Sequence, residues 1–276
     1  MNRRVLAAVA MLLLTFLLSG RLPAAESGLD RIKSKGVLVV AVDPDWAPTS
    51  WRKDNGEFDG FDVDVSKEIA RRMGVSVQFY MPYSFEGVLA GNWGGKWDIA
   101  TSVTPTAQRA ERVQFAKPYV YSPSSLAVHR DNAIIQEPSE ASGKRIGVVK
   151  GSEYEKYLTR EPFEIFDMPS FTYKIDHPKI VEFDDETSLY AALAKGDGVE
   201  LDGVIDDLSA VMQQVADGAP LRIVGQPLTY TPGSIVVEHG DEEFATTLKE
   251  IIEAMHKDGT LTRLSMKWYD FDLSQY

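Results

Sequence analysis

The sequence contains no cysteine among its 276 residues. That excludes a disulfide framework, a thiol nucleophile, a thiolate metal site and a cysteine-borne lipid anchor. Histidine is scarce: His129, His177, His239 and His256 stand far apart, without metal-ligand spacing. No phosphate-binding glycine loop and no nucleophile elbow occur. Positive charge is the minority: 29 Lys and Arg face 41 Asp and Glu, a net charge of −12. Such a surface repels nucleic acid and anionic lipid, so neither is an expected partner. Long apolar runs are missing as well. The run at 5–18 follows Arg3 and Arg4 and falls short of the ~20 residues of a membrane span. Small residues follow it at Ala24 and Ala25. This is the layout of a secretory signal peptide, expected to occupy 1–25. Its removal takes away Arg3, Arg4 and Arg21 and no acid, so the mature chain is more acidic still. A periplasmic protein is expected, not inserted in the membrane after cleavage, with a core large enough to dispense with disulfides.

What is present alternates between two periodicities. Residues 37–42 (VLVVAV) read as a buried strand. In "FDVDVSKEIARRMG", Phe61, Val65, Ile69 and Met73 recur at helical spacing, with Gly74 as the stop. Strands are expected at 75–81 and 98–103, with a short helix from Phe85 to Leu89 between them. The order returns further on, with strands at 145–149, 180–183 and 203–205 and helices in "SEYEKYL" and "DETSLYAALAKG". Alternation of this kind implies parallel sheets covered by helices. The tail adds a strand ("SIVVEHG") and two helices, the first with Phe244, Leu248, Ile251, Ile252 and Met255 on one face. Such a tail cannot form a domain alone, so it is expected to return to the first unit. The chain then crosses twice between lobes, near 120–125 and 226–232. The expected fold class is α/β and two-lobed, each lobe a mostly parallel sheet flanked by helices, with a two-strand hinge. Lobe 1 is expected at 26–120 and 230–276, and lobe 2 at 121–229.

Open α/β sheets bind ligands at the carboxyl ends of their strands. That rule selects Asp43, Asp45 and Trp46 after the first strand, Phe85 after the second, and Ser102, Thr104 and Arg109 after the third. In the second unit it selects Lys150, Ser152 and Glu153, then Asp206 and Asp207. A guanidinium grips a carboxylate through two parallel hydrogen bonds, and hydroxyls at Ser102 and Thr104 complete an anion site. A carboxylate at Asp207 holds an ammonium, and the aromatics cover an aliphatic middle. The set suits a zwitterion, namely an α-amino acid. Each residue has a plainer reading. A loop arginine is ordinarily a solvated charge, as expected for Arg112. Trp46 and Phe85 could be core, and Asp206 and Asp207 could cap a helix. Trp51, Trp93 and Trp97 are assigned to packing or the surface.

The motifs carry a family likeness. "GEFDGFDVDVSKEIARRMG", "SVTPTAQRAERVQFAKPYVYS", "GKRIGVVKGSEYEKYL", "LDGVIDD" and "DGTLTRLSMKWY" follow in one order. Together they resemble the periplasmic substrate-binding proteins of polar amino acid ABC transporters, family 3, of the type II fold. The resemblance implies that Arg109 binds the ligand α-carboxylate with Thr104 and Ser102, and that Asp207 binds the α-amine. It implies that Trp46 and Phe85 sandwich the side chain. Asp43 then takes the place that receives the cationic end in relatives selective for lysine, arginine or ornithine, and Ser152 belongs to the second-lobe anion loop. Three departures stand out: Glu153 replaces a small hydroxyl residue, the strand before Arg109 is about one residue shorter, and 157–178 is longer than usual. The implied function is capture of a cationic or polar amino acid by lobe closure and delivery to an ABC permease, by a monomer without metal or organic cofactor. The alternative is an enzyme on the same fold, a cyclohexadienyl dehydratase acting on prephenate or arogenate.

Overall fold

The computed structural model describes residues 27–82 and 84–276; the expected signal peptide lies outside the described residues. The first half comprises α1 (Gly28–Lys35), β1 (Val37–Ala41) and a small sheet of β2 (Asp45–Trp46), β3 (Ser50–Arg52) and β4 (Phe58–Asp59). Then come α2 (Phe61–Met73), β5 (Ser76–Tyr80), α3 (Phe85–Leu89), β6 (Ile99–Val103) and α4 (Ala107–Ala110). β7 (Val113–His129) leads into β8 (Arg145–Val149), α5 (Glu153–Thr159), β9 (Lys179–Phe183) and α6 (Glu186–Ala194). β10 (Gly203–Asp207), α7 (Leu208–Ala216), β11 (Leu221–Glu238), α8 (Glu242–Lys257) and α9 (Thr260–Tyr269) complete the chain.

Eight strands form one sheet in the order β5-β1-β6-β11-β7-β10-β8-β9. β1 is parallel to β5 and β6 at one end, and β8 is parallel to β9 and β10 at the other. β7 and β11 lie between, antiparallel to each other and to their outer neighbours. The sequence places a strand at the end of β11 and a two-strand hinge near 120–125 and 226–232, but not the full length of β7 and β11. Prolines concealed the rest: Pro118 and Pro123 lie in β7, Pro227 and Pro232 in β11. A proline cannot donate to a ladder and argues against a central strand. Here Pro227 falls within a register shift, between Val224 and Thr229, and Pro118 pairs with Ser234 beside another.

Helix α2 follows its spacing. Phe61, Val65 and Ile69 are fully buried, and Met73 packs partly against the same cluster. Gly74 ends the helix in the left-handed conformation, its N–H reaching the carbonyls of Ala70 and Arg71. At the other end the chain before β3 lies against the helix start. A Cβ on Gly60 would come within 2.5 Å of the Thr49 carbonyl, so glycine permits the approach.

The apolar residues collect in separate clusters. Leu38 and Val40 of β1, Phe61 and Ile69 of α2, and Phe244, Leu248 and Ile252 of α8 share one. Trp93 and Trp97 are buried under β6 in another, as packing residues. Ile146, Val148, Tyr157 and Val224 belong to a third, and Leu189, Leu193, Val204 and Val211 to a fourth. None of these clusters mixes residues up to 120 or beyond 234 with those between 126 and 228. The result is an α/β molecule of two lobes joined by two long strands, with the C-terminal helices packed against β1 and α2.

Candidate ligand-binding site

Of the strand-end residues selected by the sequence, Asp43, Trp46, Phe85, Ser102, Thr104, Glu153, Asp206 and Asp207 border two adjoining cavities that share Trp46 and Ser102, whereas Asp45, Arg109 and Lys150 border neither. The smaller, about 280 Å³, is lined by Asp43, Trp46, Asp62, Phe85 and Ser102 among others. The larger, about 500 Å³, is lined by Trp46, Ser102 and Thr104 from one side and Glu153, Asp206 and Asp207 from the other. Trp46 is 48% exposed and Phe85 47%, so neither is a core residue. Both line the smaller cavity instead.

Arg109 lies on α4, a single turn capped by Thr106, whose hydroxyl accepts from the Arg109 N–H at 3.3 Å. Its Nη1 donates to the Thr104 carbonyl at 2.9 Å. The guanidinium carbon sits 5.5 Å from the centre of the Phe85 ring, a cation–π distance. Burial lowers the Arg109 pKa, and Glu153 is the acid whose field opposes that shift. Arg112, by contrast, is exposed, as expected.

Ser102 holds a left-handed φ of 53°, unusual for a residue with a Cβ. Tyr119 fixes it there: the Ser102 N–H donates to the Tyr119 hydroxyl at 3.0 Å. That hydroxyl in turn donates to Asp62 Oδ1 at 2.5 Å. Asp62 is 1% exposed, and burial pushes its pKa up to about 6 against the hydrogen bonds of Tyr119, Ser102 and Thr101. Sequence reasoning did not single out Asp62 or Tyr119. An acid in the first turn of a helix reads as a dipole-stabilising charge, and only the fold turns it toward a cavity.

On the opposite wall Asp207 caps α7, accepting from the Ser209 N–H at 2.8 Å, and also borders the larger cavity. Asp206 is buried and accepts from the Tyr190 hydroxyl and the Asp207 N–H, each at 2.8 Å. Burial raises the pKa of both acids, that of Asp206 to about 6. Ser152 borders neither cavity. Its hydroxyl is committed to the start of α5, where it accepts from the Glu155 N–H at 3.2 Å. The neighbouring Glu153 reaches the cleft in its place, accepting from the Thr231 hydroxyl at 3.2 Å. Glu186 and Tyr154 complete this acidic wall and were not foreseen. Among the described residues, no group of three or more His, Asp or Glu is placed to hold a metal ion.

Two lobes, two connecting strands and a cleft at the carboxyl ends of parallel strands define a type II periplasmic binding protein fold. The unliganded, open L-cystine solute receptor of Neisseria gonorrhoeae shares it, with a TM-score of 0.71 at 20% identity over 91% of this chain and 99% of that one. The chain belongs to the bacterial extracellular solute-binding proteins, family 3, whose model matches residues 38–271. It is similar to the L-cystine-binding protein TcyJ of Escherichia coli, 25% identical over 278 residues, covering 100% of this chain and 98% of the relative. It is also similar to the ancestral amino acid-binding protein AncCDT-1, a precursor of cyclohexadienyl dehydratase: TM-score 0.60, 26% identity, over 88% of this chain and 99% of that one. No described helix is long and apolar enough to cross a membrane.

Proposed function

We propose that this protein captures an amino acid between its lobes and delivers it to the membrane permease of an ABC transporter. The observation that carries the reading is the 500 Å³ cavity, walled on one side by Ser102 and Thr104 and on the other by Asp206 and Asp207. Arg109 does not itself line the cavity; its guanidinium donates to the carbonyl of Thr104, which does, and lies over the ring of Phe85 in the smaller cavity. A guanidinium and serine hydroxyl at one pole and paired acids at the other match the poles of a zwitterion. Family membership and the amino acid ligands in the relatives' names support the same conclusion.

Lobe 1 is residues 26–120 with 230–276, and lobe 2 is 121–229; the separation of the apolar clusters supports this division. The protein acts as a periplasmic monomer after loss of residues 1–25. Arg109, with Thr104 and Ser102, takes the α-carboxylate, and Asp207 takes the α-ammonium. Trp46 and Phe85 enclose the side chain, whose far end reaches Asp43. Ser152 acts indirectly, by setting the α5 turn that presents Glu153. The ligand is cationic or polar: Asp43 and Asp62 line the smaller cavity, and Glu153, Glu186, Asp206 and Asp207 the larger. A second anionic end would meet these acids at a coulombic cost.

A thermal-shift screen of the amino acids tests the reading. A ligand at a hundred times its Kd stabilises by about 2.7 kcal/mol, so lysine, arginine, ornithine, histidine or glutamine should raise Tm by several degrees. A shift confined to acidic or apolar amino acids refutes the ligand class, and no shift with any of them refutes the amino acid reading. The enzymatic alternative is checked on the same preparation. Incubation with prephenate or arogenate should yield no aromatic product.

A further inference from the structure

Residues 160–176, between α5 and β9, have no part in the ligand site as described. Arg160 and Asp176 close the segment at its base through an ion pair. The body is held on lobe 2 by rings. Phe171 and Tyr173 lie 5.9 and 5.2 Å from Tyr157, centre to centre, and Phe163 lies 5.3 Å from Phe171. The Tyr157 hydroxyl accepts from the Lys174 N–H at 2.8 Å. The tip leaves that lobe. Ile165 forms an antiparallel bridge with Thr106, and the Phe166 N–H donates to the Pro105 carbonyl at 2.8 Å. Pro105 and Thr106 lie in the connection that aims Arg109: Thr106 accepts its N–H, and Thr104 accepts its guanidinium. A cavity of about 130 Å³ remains between the two surfaces, with Thr106 and Gln108 on one side and Glu153, Lys156 and Phe163 on the other.

We propose that residues 160–176 are a clasp that positions Arg109 and gates ligand exchange: the cleft opens only when the Thr106–Ile165 pairing breaks. The inference rests on the lobe-closure reading above. A backbone pairing on the arginine side of the cleft cannot persist while the lobes swing apart. It either breaks or drags the Arg109 connection with it. The rings keep the segment on lobe 2 throughout, so the contact that yields is the one at Ile165 and Phe166. Phe166 is 48% exposed, so its side chain contributes little to a core. Its N–H makes the link.

The absence of native cysteine makes the test direct. In T106C/I165C the introduced pair is the only one in the chain, and bridged neighbours on adjacent strands lie within disulfide reach. The pair should oxidise in the ligand-free protein. Stopped-flow fluorescence with an amino acid found in the screen should show association and dissociation slowed at least about tenfold relative to the same variant reduced. F166P removes the donor and leaves the rings in place. Its ligand-free radius of gyration by X-ray scattering should exceed that of the wild type, and both exchange rates should rise about two- to tenfold, the range of one or two backbone hydrogen bonds. Failure to oxidise, wild-type exchange in the oxidised form, or an unchanged radius in F166P overturns the clasp. Oxidation and scattering need no ligand, so a failed clasp is distinguishable from a failed amino acid reading.

Discussion

Arg109 is half-buried against an aromatic face, and burial lowers its pKa, yet it remains a cation at every physiological pH. A desolvated guanidinium gains most from a ligand that offers two oxygens at once. Arg109→Ala is therefore expected to lose about two orders of magnitude in affinity by titration calorimetry, the equivalent of two charged hydrogen bonds. Its Tm should stay within a few degrees of the wild type. Arg109→Lys should recover only part of the loss, because an ammonium cannot bind bidentately. Asp62 makes a different prediction. Its folded pKa, about 6, exceeds the ordinary 3.8 because burial disfavours the charge. The stability this proton supplies is complete below about pH 4 and is lost as pH rises through 6. Asp62→Asn should therefore stabilise the protein at pH 7.5 by on the order of 2 kcal/mol in urea denaturation, with the gain vanishing near pH 4. An equal loss at both pH values would mean that only packing is at stake. The sequence offered Arg109, Trp46 and Phe85 as candidates because strand ends are where such folds place ligands. It could not offer Asp62, whose role depends on the Tyr119 hydroxyl arriving from a distant strand.

At the scale of elements, α2 and α8 were legible because each has one buried face and recognisable ends. Phe244 is buried in the same cluster as Phe61, so Phe244→Ala should cost about 3–5 kcal/mol, read as a lower urea midpoint. Gly60→Ala should also destabilise, since its Cβ would meet the Thr49 carbonyl and its φ of 128° is foreign to alanine. Other elements were not legible. β2 and β4 have two residues each, too short for an alternating pattern to register. α7 follows directly on the end of β10, where Asp207 reads as a site residue and also serves as the helix cap. The long strands β7 and β11 were masked by their prolines, of which Pro118 and Pro227 fall at shifts of register while Pro123 and Pro232 pair within the regular ladder. Ser152 shows the same limit at a loop: the sequence marks a hydroxyl, and the structure spends it on a helix start.

For the whole molecule, the acidic cleft predicts how binding depends on pH. Asp206 takes up a proton near pH 6 in the ligand-free protein, and Asp207 is shifted in the same direction by burial. An ammonium placed against them favours their ionised forms. Affinity for an amino acid should thus be constant above about pH 6.5 and fall below 6, by up to about tenfold per unit. Calorimetry from pH 4.5 to 7.5 measures this, and a flat profile would remove both acids from the ammonium subsite. By itself the sequence determined the α/β class, the return of the tail to the first unit, the absence of thiol and disulfide chemistry and the two aromatics, Trp46 and Phe85, that line the smaller cavity, because these follow from local periodicity, composition and the strand-end rule. Only the tertiary structure decided that β7 and β11 run as continuous strands through both lobes, that Asp62 faces the cleft while Ser152 does not, and that 160–176 reaches across to Thr106. Each of those depends on groups far apart in the chain meeting in space, where pairing, burial and the field of a neighbour act, and no local pattern records such a meeting.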